Sequence, residues 1–102
     1  MKLFLIAALM SSNVAFAADP GQRLYNAKCA SCHGRDGKGQ TEMGRKTKVK
    51  DLTDPNVKAT FAGDVLIDEL TNGMKDTKMP GYKGKLSDAE IQAVAAYTRA
   101  LQ

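Results

Sequence analysis

Tryptophan is absent from this 102-residue chain, histidine occurs once, cysteine twice and proline three times, and aromatics of every kind make up 6%. A single histidine excludes any multi-histidine metal centre. Two cysteines and one histidine also fall short of the four ligands of a closed structural zinc site, so zinc would need a carboxylate or a second chain. Basic residues outnumber acidic ones by only 15 to 11, without the interleaved aromatics of a stacking platform, which argues against nucleic-acid binding. The longest unbroken apolar run, Leu3 to Met10, is far shorter than the ~20 residues a membrane span needs. No convincing strand flanks the cysteines, so the βαβ setting of a thioredoxin-like dithiol is missing as well.

What is present is Cys29-Ala30-Ser31-Cys32-His33. Two cysteines three apart, with histidine directly after the second, form the c-type haem attachment signature. Each thiol adds across one haem vinyl group, and two intervening residues let one helical turn offer both sulfurs to the same porphyrin edge. His33 is then carried under the iron as proximal ligand. Dithiol chemistry is the minor alternative; it requires free thiols and no Soret absorbance.

The N-terminal segment has the form of a secretory leader. Lys2 precedes the apolar run, polar Ser11, Ser12 and Asn13 follow, and Ala15-Phe16-Ala17 fits the small-x-small rule for cleavage after Ala17. Residues 1–17 are therefore expected to be removed, leaving residues 18–102 as one domain. Export agrees with the motif, because c-type haem is attached outside the cytoplasm, in a bacterium in the periplasm. At this size a single apolar core is marginal and a staple is usual. Here the cofactor must be the staple, so the haem-free chain is expected to fold poorly.

In chain order, Asp19-Pro20 is a cap followed by proline at the first helical position. It predicts a helix from about Pro20 to Ala30 that delivers the cysteines. Residues 34–54, with Gly34, Gly37, Gly39 and Gly44, predict a long irregular segment with Val49 and Leu52 inward, on which Lys46, Lys48 and Lys50 share a face if it is extended. Asp54-Pro55 begins a short helix. A further one runs from about Gly63 to Thr71 on a Val65, Leu66, Leu70 stripe and stops at Asn72-Gly73. Within the turn-rich loop that follows, Pro80 and Gly81 fix the backbone after Met79. That makes Met79 the expected sixth iron ligand, ahead of Met74 and Met43. Ser87-Asp88-Ala89-Glu90 is a capping box, with Leu86 placed to staple to Ile91. Ile91, Val94, Ala95, Thr98 and Leu101 then recur at helical spacing.

This order of motifs, closing with Ala96-Tyr97 on the final helix, resembles the small class I c-type cytochromes of the bacterial single-haem kind over essentially all of residues 19–102. The resemblance implies an all-α fold of three to four helices around one covalently bound haem c. It implies His33 and Met79 as axial ligands and crossed first and last helices, with Gly21 and Tyr25 facing Val94 and Tyr97. One departure stands out. Many relatives have a proline after the motif whose carbonyl accepts from the proximal histidine, whereas here the stretch reads Lys48-Val49-Lys50-Asp51-Leu52.

A hexacoordinate iron has no open position for substrate. The expected function is therefore electron transfer by a soluble periplasmic carrier, not enzymatic catalysis. The alternative is a haem sensor or peroxidase-like protein with a labile sixth ligand. Lys28, Lys75, Lys78, Lys83 and Lys85 flank the motif and the Met79 loop, and would steer the chain to redox donors and acceptors with acidic docking surfaces. Removal of Lys2 leaves fourteen basic against eleven acidic residues. A monomer without a membrane span after cleavage is expected.

Overall fold

The computed structural model describes residues 19–102, and the expected leader with its cleavage site lies outside them. Six α-helical segments follow in order: α1 (Pro20–Lys28), α2 (Ala30–His33), α3 (Glu42–Thr47), α4 (Pro55–Lys58), α5 (Val65–Asn72) and α6 (Asp88–Ala100). A 3-10 turn over Ala59–Phe61 continues α4. Among the described residues the only β pairing is an isolated bridge between Lys83 and Leu86. The fold is all-α, as expected.

Local chemistry starts and stops these helices. Pro20 and Pro55 open α1 and α4, and the Asp54 carboxylate accepts from the Asn56 amide. The capping box of α6 is complete: Ser87 Oγ accepts from the Glu90 amide at 3.1 Å, and Glu90 Oε1 accepts from the Ser87 amide at 2.8 Å. At its other end, Lys58 Nζ donates to the Leu101 carbonyl, satisfying an oxygen the helix cannot. Gly73, at φ 80°, ends α5 at the predicted place.

Helices α1 and α6 cross as the domain's main contact. Gly21 makes the close approach possible, since a Cβ there would lie 2.2 Å from the Ala93 carbonyl oxygen and 2.8 Å from its carbon. The nearest atoms on α6 are those of the Ala93 carbonyl, whose peptide leads directly into the buried Val94. One turn further on, Tyr25 and Tyr97 meet with ring centroids 5.3 Å apart and planes at 52°, a tilted pair worth about 0.5–1.5 kcal/mol beyond its buried area. We expect Gly21→Ala to cost about 1–3 kcal/mol, because backbone rather than a flexible side chain must move. Chemical denaturation of the haem-loaded protein checks this, and an unchanged midpoint would mean that the crossing has slack.

The core comprises Tyr25, Leu52, Phe61, Leu66, Leu70, Ile91, Val94, Ala95 and Leu101. Three expectations need correction. Val65, on the apolar stripe by its spacing, is 47% exposed, because α5 begins at that residue and turns only Leu66 and Leu70 fully inward. Residues 34–54 are not irregular throughout, since Glu42–Thr47 is helical. The three lysines consequently share no extended face: Lys46 lies on α3, and Lys48 caps it in the left-handed region at φ 57°.

Candidate functional site

The two thiols are carried at a helix joint. The chain predicted as one helix to Ala30 breaks at Cys29, where α1 gives way to the single turn α2. Cys29 remains bonded to both sides: its amide donates to the Tyr25 carbonyl at 2.8 Å, and its own carbonyl accepts from the amides of Cys32 at 3.2 Å and His33 at 2.9 Å. That shared acceptor tightens the turn towards 3-10 geometry and keeps both sulfurs and the imidazole within one turn. Tyr25, fully buried, donates its hydroxyl to the Gly34 carbonyl at 2.7 Å and ties α1 to the end of α2. Its burial, with Cys29 as a lesser contributor, holds that hydroxyl well above the usual tyrosine value.

Cys29, Cys32 and His33 open onto one crevice of about 1080 Å³, mouth included. Leu52, Phe61, Leu66 and Leu70 supply its apolar lining, and both Met74 and Met79 stand on its wall. Met43 does not line it and is 47% exposed. The cysteines are unpaired, and burial, with Cys32 adding to it, pushes the free Cys29 thiol up to about 11.

His33 Nδ1 lies 3.2 Å from the Lys50 carbonyl oxygen. A carbonyl can only accept, so this contact puts the ring proton on Nδ1 and leaves the Nε2 lone pair for another partner. Burial lowers the imidazole's pKa, only partly opposed by that hydrogen bond, which favours the neutral ring a metal ligand must be. The acceptor that the sequence left unnamed is therefore Lys50, without a proline. Its segment is held on either side: the Val49 amide donates to the Gly44 carbonyl at 3.1 Å and the Leu52 amide to the Gly37 carbonyl at 2.7 Å. Asp51 adds an Asx turn, accepting from the Thr53 amide at 2.8 Å and hydroxyl at 2.6 Å; these bonds lower its own carboxyl pKa.

The methionine loop is fastened as firmly. The amides of Tyr82 and Lys83 donate to the Leu70 and Thr71 carbonyls at 2.9 and 3.0 Å, occupying acceptors that the end of α5 leaves open. A Cβ on Gly81 would sit 2.5–2.7 Å from Thr71, Asn72 and Gly73 backbone atoms, so only glycine allows the loop to fold back this closely. The Tyr82 hydroxyl donates to the Lys28 carbonyl at 3.2 Å, linking the loop to the start of the cysteine motif. Within the loop, the Met79 amide donates to Thr77 Oγ1 at 3.1 Å, and Met79 packs against the core.

Two thiols on one turn, an imidazole with a free Nε2, a thioether from a separate loop and an apolar space between them fit a porphyrin held covalently at one edge. The contributions of Thr41 and Gly44 behind α2, and of Phe61 in the lining, have no counterpart in the sequence motifs. Thr41 carried a weak signal, an N-cap residue followed by an acidic one.

The pattern of the family described as Cytochrome C oxidase, cbb3-type, subunit III matches residues 16–97. The chain is 41% identical over 80 residues to cytochrome c6 of Leptolyngbya boryana, covering 78% of this chain and 87% of that one. It is 30% identical over 100 residues to the cbb3-type cytochrome c oxidase subunit CcoP of Azospirillum brasilense, covering 96% of this chain but only 33% of the subunit. Among solved structures, the KustC0563 c-type cytochrome superposes with a TM-score of 0.72 at 27% identity, over 80% of this chain and 96% of that one.

Proposed function

Because the chain belongs to the small class I c-type cytochromes and carries a covalently bound haem c, we propose that it is a one-electron carrier with His33 and Met79 as axial ligands, exported to the periplasm. When bound, the haem supplies reversible one-electron chemistry at its iron. The chain's residues do the rest. Cys29 and Cys32 would hold the group, His33 Nε2 and the Met79 thioether would ligate its iron, and Leu52, Phe61, Leu66 and Leu70 would keep water from the crevice. Thioether ligation and an apolar surround both favour the less charged ferrous state and raise the potential. The carrying observation is the fastening of both ligand-bearing segments, α2 and the Met79 loop, around one crevice. Little has to move when charge changes.

Optical spectra of the oxidised and reduced protein test this. Sharp ferrous α and β bands together with the weak red band of iron–methionine ligation are expected. A haem spectrum without the red band, with carbon monoxide binding readily to the ferrous form, would point instead to a sensor or peroxidase-like protein. Among the described residues no helix is long and apolar enough to cross a membrane.

Lys28, Lys48, Lys50 and Lys78 are exposed at the crevice wall, and Lys75, Lys83 and Lys85 are exposed nearby. Such a rim steers docking to redox partners with acidic surfaces. Reduction of an acidic partner protein should therefore slow by about tenfold or more as ionic strength rises from low to physiological salt. Stopped-flow rates that stay flat across that range would remove steering.

A further inference from the structure

The four-residue helix α2 cannot satisfy its own last carbonyls. Outside groups do so: the Thr41 hydroxyl donates to the Cys32 carbonyl at 2.6 Å and the Gly39 amide to that of His33 at 2.7 Å, while the Tyr25 hydroxyl donates to the carbonyl of Gly34, the residue that ends the helix. Thr41 differs from the other two in having a second task, because the same Oγ1 accepts from the Gly44 amide at 2.8 Å and caps α3. The Gly44 carbonyl in turn accepts from the Val49 amide, and the carbonyl of the following residue, Lys50, accepts from His33 Nδ1. A closed circuit thus runs from His33 through Lys50, Val49, Gly44 and Thr41 to Cys32, and along the chain back to His33. Gly44 fits within it only because it has no side chain: a Cβ would lie 2.4 Å from the Cys32 carbonyl oxygen and 2.5 Å from that of Gly39.

We propose that Thr41 is a positioning residue for the proximal histidine, fixing through one hydroxyl both the Cys32–His33 peptide and the strap that presents the Lys50 carbonyl. This rests on the His33 ligation proposed above. Each end of the His33–Lys50 hydrogen bond is held by an element that Thr41 joins to the other. In a chain without the proline of many relatives, the strap needs such a fastening. The strength of that hydrogen bond governs how much negative charge the imidazole can share with the iron. Removing the hydroxyl should therefore weaken the bond and raise the potential.

The experiment is nuclear magnetic resonance of the ferrous haem-loaded protein, reading solvent exchange of the His33 Nδ1 proton in the parent, Thr41→Ser, Thr41→Val and Thr41→Asp. Serine keeps both functions of the hydroxyl, and its exchange should stay within about twofold of the parent. Valine loses both, and exchange should quicken about two- to tenfold, the factor that weakening one hydrogen bond commands. Aspartate keeps the cap but as a carboxylate has no proton for Cys32, so it should follow valine; it also decides the question if the valine variant fails to take up haem. Parent-like exchange in the aspartate variant, or in a folded valine variant whose only change is a lower unfolding midpoint, would reduce Thr41 to a helix cap. A parent without haem-shifted His33 ring signals would instead overturn the ligation itself, a failure visible before any variant is made.

Discussion

Met79→Ala is expected to abolish the red iron–methionine band, let carbon monoxide bind the ferrous iron and lower the potential, while Met74→Ala leaves all three as in the parent. Both methionines line the crevice, so proximity does not choose between them. Their backbones do. Met79 packs on the core, its amide is held by Thr77 Oγ1, and Pro80 follows it. The Met74 amide donates to the Met79 carbonyl at 3.3 Å, and its carbonyl accepts from the Thr77 amide and hydroxyl at 3.2 and 2.7 Å, so its backbone serves the turn that presents Met79. Thioether loss should take an appreciable part of the ~0.8 V over which axial ligands set haem potentials. Spectra, carbon monoxide titration and voltammetry of the two variants check the assignment. Loss of the red band in Met74→Ala with retention in Met79→Ala would exchange the two roles.

The residues around that loop show which structural facts leave traces in a sequence. Ser87 and Glu90, Asp54-Pro55 and Asn72-Gly73 are side-chain chemistries tied to a backbone geometry, and each marked its helix end where the structure has it. Cys29, Cys32, His33, Met74 and Met79 were likewise visible as residue types, and the fold brings all five to one crevice. The helix α3 was not visible. Six residues with a glycine at the third position have little intrinsic helicity, and the Thr41 that caps them is itself bonded to the Cys32 carbonyl, nine residues earlier in the chain. The Lys50 acceptor was hidden for a plainer reason: a main-chain oxygen belongs to every residue type, so only the path of the chain reveals it. The exposure of Val65 is a similar case, since one residue at a helix start decides which side the stripe faces.

The haem-free chain should show little helix and no cooperative unfolding transition, the largest effect expected of any single change here. Leu52, Phe61, Leu66 and Leu70 belong both to the core and to the crevice wall. Without the cofactor the crevice must either collapse or fill with water. Filling it with water leaves wet an apolar wall that the porphyrin would cover, at a cost of about 25 cal/mol for each Å², against a total domain stability of only about 5–15 kcal/mol. Collapse is hindered by the same fastenings that shape the site, because the Tyr82–Lys28 and Tyr25–Gly34 hydrogen bonds hold the walls at fixed positions. The 13-residue α6, with its capping box, is the element best able to keep some structure alone, yet helices of that length are marginal in water. Circular dichroism and urea titration of the Cys29→Ala/Cys32→Ala chain prepared without haem decide the matter. A sigmoidal transition as steep as that of the haem-loaded protein would mean that the α1–α6 crossing suffices for a folded domain, with the haem docking into a preformed crevice; a shallow, featureless loss of signal would mean that attachment and folding are one event.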